Sequence, residues 1–194
     1  IESGEAGEPG LAIGWYWCHF LGGTWWRDKS KSGGQVVEQS THLYDALRYL
    51  CGDVEEVYGQ MNRKFWTDVP GLTVEDVSSS TFRFKSGAIG SIAATTWGAA
   101  SQWWFRWLMA TENYTFQSEN AHTLTLYSTK TPGKQTTTTE ERDVYLLETK
   151  DLIKAVLEDE KTRIPIQEGA KSLEFTLAVR KSMETRKPVK LPLT

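Results

Sequence analysis

Cysteine is nearly absent from this chain of 194 residues: Cys18 and Cys51 form neither a CxxC pair nor a framework spacing, which excludes a disulfide scaffold and a thiolate metal centre. Both lie in apolar patterns and read as buried thiols. Histidine is also scarce, and His19, His42 and His122 stand apart with no HxxxH or HExxH spacing, so no metal site is expected. No apolar run is long enough to span a bilayer and no basic-then-apolar leader opens the chain, which removes a membrane from the expected partners. A reducing cytoplasm is the expected compartment. Charge of one sign is lacking as well: 22 basic and 25 acidic residues are interspersed for a net charge of −3, which argues against nucleic acid. The chain starts at Ile1 rather than Met, so a fragment of a longer protein is expected. Its length suits one domain, taken as residues 1–194.

Against these absences stand nine tryptophans, at Trp15/Trp17, Trp25/Trp26, Trp66, Trp97 and Trp103/Trp104/Trp107. Large flat indoles suit core packing and equally suit stacking on sugar faces; most are assigned to the core or an interface.

The most informative stretch is Gly33 to Asp53, GGQVVEQSTHLYDALRYLCGD, read as one helix that starts after a glycine pair and ends at Gly52. At 100° per residue Val36, Leu43, Leu47 and Leu50 share an arc flanked by Tyr44, Ala46 and Cys51, the core face. Glu38, His42, Asp45 and Tyr49 follow spacings of four, three and four on the opposite side. One reading is an ordinary solvated face with an i, i+4 pair. The other is catalytic, because a carboxylate one turn from an imidazole fixes its tautomer and tunes it for proton transfer near neutral pH.

The remaining chain alternates strands and turns before ending in helices. Leu11 to Phe20 is an aromatic strand, and Gly22 to Ser32 a polar loop that brings Trp25, Trp26, Arg27 and Asp28 to the helix. Arg27 is read either as a substrate contact or as a surface ion pair with Asp28. Val54 to Lys64 reads as a strand, and Val77 to Lys85 and Ala88 to Thr96 form a hairpin about Ser86-Gly87. Trp103 to Thr111, Tyr114 to Glu119 and Thr123 to Ser128 continue a meander. The Trp103 to Met109 run is apolar at both parities and should be covered on both faces, one by helices and one by a second subunit. Thr129 to Glu141 reads as a surface loop, Leu146 to Glu158 as a helix burying Leu152, Val156 and Leu157, and Gln167 to Thr185 as the last helix.

The motif of GG, three residues, a carboxylate, three residues, His, two residues, Asp and a closing Gly-Asp resembles the C-terminal domain of the Gfo/Idh/MocA oxidoreductases, a family named for glucose-fructose oxidoreductase and inositol dehydrogenase. The segments IESGEAGEPG, WWRDKSKSGG and EGAKSLEFTLAVRKSMETRKPVKLP are similar to the family's linker, pre-helix loop and closing elements, so the resemblance covers nearly the whole chain. It implies the catalytic and substrate-binding half of an NAD- or NADP-dependent dehydrogenase of a sugar, cyclitol or polyol. His42 falls on the family's acid/base, and Glu38 on a position where many members carry an aspartate one methylene shorter. Asp45, Arg27 and Trp26 are the accompanying candidates for substrate contact. The family's Glu-Lys-Pro lysine and its glycine-rich dinucleotide loop have no counterpart here, so no cofactor-binding residue is assigned and the N-terminal Rossmann domain is expected to be absent.

The combined expectation is an α+β domain: a predominantly antiparallel, mixed sheet of about six strands with helices on one face, the other face forming a homodimer or homotetramer. A non-catalytic carbohydrate-binding module or an assembly domain is the alternative.

Overall fold

The computed structural model describes residues 1, 3–140 and 142–193. The chain opens with β1 (Pro9–Cys18), followed by α1 (Thr24–Arg27), α2 (Lys29–Ser32), α3 (Gln35–Glu38) and α4 (Thr41–Cys51). Then come β2 (Val54–Asn62), β3 (Val77–Phe84), β4 (Ile89–Thr95), β5 (Trp103–Thr111), β6 (Tyr114–Ser118), β7 (Thr123–Ser128) and β8 (Lys134–Thr138). Helices α5 (Val144–Glu158) and α6 (Ile166–Thr185) and the short β9 (Val189–Lys190) complete it. The fold is α+β. The strands form one mixed sheet in the order β8-β7-β6-β5-β1-β4-β3-β2-β9, in which β1 and β4 run parallel and the other neighbours antiparallel.

The period of two along β1 divides the faces: Ala12, Gly14, Tyr16 and Cys18 are buried while Leu11, Ile13 and Trp17 are exposed. On the buried side α4 and α6 lie over the sheet at two glycines. A Cβ on Gly14 would stand 2.8 Å from Leu43 Cδ2, and one on Gly59 would stand 2.9 Å from Met183 Cε, so each missing side chain admits a helix. Val36, Leu43 and Leu47 are fully buried and Leu50 packs at the margin, as their arc requires. Phe175 of α6 meets the Tyr44 ring edge-on at 5.1 Å, and the Tyr44 hydroxyl lies 2.8 Å from Ser80 Oγ. Arg48 is buried between the two helices, donating from Nε to Ser172 Oγ at 2.8 Å and from Nη1 to Glu168 Oε2 at 2.9 Å and Asp53 Oδ1 at 3.3 Å. A buried guanidinium is tolerable only with this many acceptors.

The sheet has nine strands rather than about six. The threonine-rich segment expected as a loop supplies β8, where β-branched residues pair across the ladder and Thr125 Oγ1 meets Thr136 Oγ1 at 2.9 Å; Glu141 at its end lies outside the described residues. The loop from Gly22 to Ser32 is likewise coiled into α1 and α2. Helix α5 forms, with Asp143 accepting from Leu146 N at 3.0 Å, but Leu152, Val156 and Leu157 are exposed rather than buried, because no described element covers that stripe; Ala155 is its one buried residue. Trp26 is the one buried tryptophan, whereas Trp17, Trp25, Trp97 and Trp103 are exposed on the surface of the chain.

Both cysteines are buried free thiols, Cys18 with Sγ 3.8 Å from Thr95 O and Cys51 with Sγ 3.7 Å from Met109 Sδ. Burial pushes each from 9.0 up to about 11, and burial also raises the Tyr44 phenol. The folded state therefore prefers the protonated thiols. Their contribution is fully present below about pH 9 and is lost as pH rises toward 11, where the unfolded chain is already ionised. Urea midpoints measured between about pH 8 and 11 should fall across that window, less steeply in Cys51→Ala than in the parent. Equal slopes would show that the thiol titrates as it does in the unfolded chain.

Candidate functional site

The segment after β1 folds back on itself before the main helix begins. At Gly22 the indole of Trp26 lies where a side chain would stand, 2.6 Å from an added Cβ. Trp26 is thereby packed beside Leu72 and Val74, with Phe20 edge-on at 5.5 Å. Its Nε1 donates to Glu38 Oε2 at 2.6 Å, a short bond to a carboxylate in a half-buried setting. Arg27 turns back, donating from Nε to Gly22 O at 2.8 Å, so it forms no ion pair with Asp28. Asp28 instead caps α2 through Ser30 N at 3.0 Å and lies 3.4 Å from Lys31 Nζ. Trp25 is exposed.

The expected single helix from Gly33 to Asp53 is two. Gln39 N and Ser40 N both donate to Gln35 O, at 3.0 and 2.9 Å, so the turn between α3 and α4 is widened by one residue before α4 restarts at Thr41. At the start of α3 the buried Glu75 carboxylate accepts from Val36 N at 3.2 Å and pairs with Lys29 Nζ at 3.0 Å. This carboxylate answers the positive end of the short helix.

The widened turn changes what the titratable stripe does. Glu38 no longer sits in regular i, i+4 register with His42, and its carboxylate is held by Trp26. His42 is exposed in the first turn of α4, beside the fully buried Leu43 and Tyr44, and its ring makes no hydrogen bond or ion pair among the described residues. Asp45 faces α6, where Ser172 Oγ donates to it and Arg48 Nη2 lies at 3.9 Å. The structure thus brings Trp26 and Glu38 together, leaves His42 presented to solvent, and ties Asp45 into the interhelical network.

Three residues missed by the sequence reading line the same place. Gln39 Nε2 donates to Cys18 Sγ at 3.5 Å, its Oε1 has no partner among the described residues, and Gln35 Nε2 is likewise unpartnered. Burial raises the phenol of Tyr16, and the nearby Cys18 and Glu38 add to the effect. The available signal was glutamine at two positions on the buried side of a helix.

Residues 1–117, which hold Trp26, Arg27, Glu38, His42 and Asp45, match the model of the GFO/IDH/MocA C-terminal domain. The chain belongs to the GFO/IDH/MocA family. A myo-inositol 2-dehydrogenase of Thermotoga maritima is 27% identical over 167 residues, covering 82% of this chain and 50% of that protein. An uncharacterized protein of Schizosaccharomyces pombe is 37% identical over 84 residues, 36% of this chain and 22% of its own length. Among solved structures, a levoglucosan dehydrogenase in complex with NADH and levoglucosan superposes with a TM-score of 0.88 at 19% identity, covering 99% of this chain and 61% of that one. The chain therefore spans half of that inositol dehydrogenase and about three fifths of that solved structure.

The GFO/IDH/MocA relationship raises the question of a nicotinamide cofactor, and these residues do not fit one. A dinucleotide needs a glycine-rich turn whose open backbone meets the pyrophosphate at a helix N-terminus. Here Gly22 is covered by the Trp26 ring, and an added Cβ on Gly34 would be 2.9 Å from the Glu75 carboxylate, which repels phosphate. Among the described residues there is no cluster of metal-ligating side chains, and no helix is long and apolar enough to cross a membrane.

Proposed function

We propose that this chain is the substrate-binding and catalytic portion of an oxidoreductase acting on a sugar, cyclitol or related polyol, with NAD or NADP held outside these 194 residues. The observation that carries the reading is His42: a solvent-facing imidazole with no hydrogen bond or ion pair among the described residues, standing on a helix whose next two residues are fully buried. A ring so placed stands on a fixed stretch of backbone and is chemically unoccupied. It accepts the proton of a substrate hydroxyl at one ring nitrogen on oxidation and returns it on reduction. Glu38 is assigned to the substrate hydroxyls or, on substrate binding, to His42, with Trp26 holding its carboxylate in place. Arg27 and Asp45 are assigned to the rim of the site, Asp45 through the Arg48 network.

Two further elements belong to the proposal. The open sheet face, with Leu11, Ile13, Trp17 and Ile89 exposed and Trp104 stacked on Trp17 at 6.0 Å under the Arg106 guanidinium, is assigned to a homodimer or homotetramer contact. The reduced state of the buried thiols is assigned to a cytoplasmic setting.

In the full-length protein, His42→Ala should lower turnover about 10²- to 10⁴-fold with little change in melting temperature. Unchanged kinetics beside a large loss of stability would make His42 structural and leave a carbohydrate-binding role. Calorimetry of the 194-residue chain with NAD and with NADP should show no micromolar binding; a micromolar complex would place the cofactor site here and overturn the division of labour. Sedimentation should give a dimer or larger species that Trp104→Glu converts to monomer, and a monomeric parent at high concentration would remove the assembly assignment.

A further inference from the structure

Beyond the His42 region, the C-terminal ends of β1 and β4 carry a cluster of aromatic rings that no role above uses. Past the strands the two segments stay paired: His19 bridges Trp97, Gly98 N donates to Cys18 O at 2.7 Å, and Phe20 N donates to Thr96 O at 3.0 Å. Trp97 and Phe65 lie nearly parallel, their planes within 18° and centroids 5.6 Å apart. That separation exceeds face-to-face contact, so the rings are stacked with a lateral slip and form a stepped two-ring shelf. Trp66 stands edge-on to Trp97 at 4.3 Å, and His19 leans on both indoles at 5.1 and 5.4 Å. Phe65 and Trp97 are 45% and 41% exposed, too wet for a core.

The shelf is built rather than incidental. Asp76, 1% exposed, accepts three backbone N–H bonds from the loop that carries it: Lys64 at 2.7 Å, Phe65 at 2.7 Å and Trp66 at 2.8 Å. Its own carbonyl accepts from Thr96 N at 3.0 Å and Thr95 Oγ1 at 2.8 Å, which ties the Trp97 segment to the same residue. Trp66 Nε1 is turned inward to Thr96 Oγ1 at 3.2 Å. One buried residue thus fixes both halves of the shelf, by its carboxylate on the Phe65 side and its backbone carbonyl on the Trp97 side. His19 Nδ1 lies 3.3 Å from Gly98 O, which cannot donate; in that bond Nδ1 carries the proton, leaving Nε2 of the neutral ring as an acceptor at the shelf edge.

We infer that Phe65 and Trp97, edged by His19 and Trp66, form a subsite that stacks a pyranose ring. Flat indole and phenyl faces are electron-rich and attract the polarised C–H bonds on one face of a sugar, while an acceptor at the margin accepts a hydrogen bond from a hydroxyl. An open-chain polyol presents no such flat C–H face. The shelf adjoins the candidate site: Trp66 packs on the cluster that holds Trp26, and Cys18 joins the two through its thiol to Gln39 and its carbonyl to Gly98. The inference rests on the reading of the substrate as a sugar or polyol, but its test reads binding alone.

Saturation-transfer NMR of the protein with methyl β-D-glucopyranoside should show transfer concentrated on the ring C–H protons, with sorbitol giving much less. Trp97→Ala should weaken glycoside binding about tenfold, Trp97→Phe should retain part of it, and Phe65→Ala serves if Trp97→Ala does not fold. Unchanged binding in folded Trp97→Ala or Phe65→Ala protein, or equal binding of sorbitol, overturns the subsite. So does conversion of an assembled parent to monomer by Trp97→Ala, which would mean that a second copy covers the shelf. Glycoside binding through Trp97 in a protein that oxidises no polyol would leave the subsite standing and remove the catalytic reading instead.

Discussion

Close approach of helix to sheet is the constraint on which the remaining structure depends. Glycine in the middle of a strand ordinarily weakens it, yet Gly14 and Gly59 are where Leu43 and Met183 come down, and a methyl group at either position would press on that side chain. The docking depth of α4 at Gly14 buries Leu43 and Tyr44 completely and so leaves His42, on the neighbouring position, facing out. The depth of α6 at Gly59 brings Phe175 onto Tyr44 and Ser172 to Arg48. With both helices pinned to the sheet, a single buried guanidinium suffices to fix them against each other.

The widened turn at Gln39 and Ser40 is the second determinant, because it separates two roles that a regular helix would merge. In continuous helical register Glu38 and His42 would form a local pair and each would be partly consumed by the other. One additional residue in the turn frees the imidazole and hands the carboxylate to Trp26. The glycine at position 22 makes this possible by letting the indole fold over the backbone. Widened turns of this kind recur where side chains must be re-aimed at a site.

Much of the fold was legible in the sequence. The hairpin about Ser86-Gly87 forms with Gly87 at φ 90°, and the arc Val36, Leu43, Leu47 is buried as its periodicity demands. These are features that neighbouring residues decide. What escaped depended on partners distant in sequence: the β8 threonines pair only because β7 offers a ladder, and the apolar stripe of α5 stays exposed because nothing described here covers it. The site divided in the same way. His42 stood out by residue type and spacing, whereas the Trp26–Glu38 bond, the Gln39–Cys18 contact and the three N–H groups on Asp76 join residues on separate elements and leave no periodic trace.

The two borders of the sheet are chemically unlike, and this governs how copies of the molecule can join. Filament growth by strand addition needs one border of each copy to pair with the opposite border of the next, so that the chain of contacts never closes. On one side β9 contributes two residues between Pro188 and Pro192, too short and too poor in donors to template another strand. Border-to-border contact through β8 alone would stop at two copies. Closing one border therefore bars open-ended growth by strand addition alone, even though the other remains a regular five-residue strand.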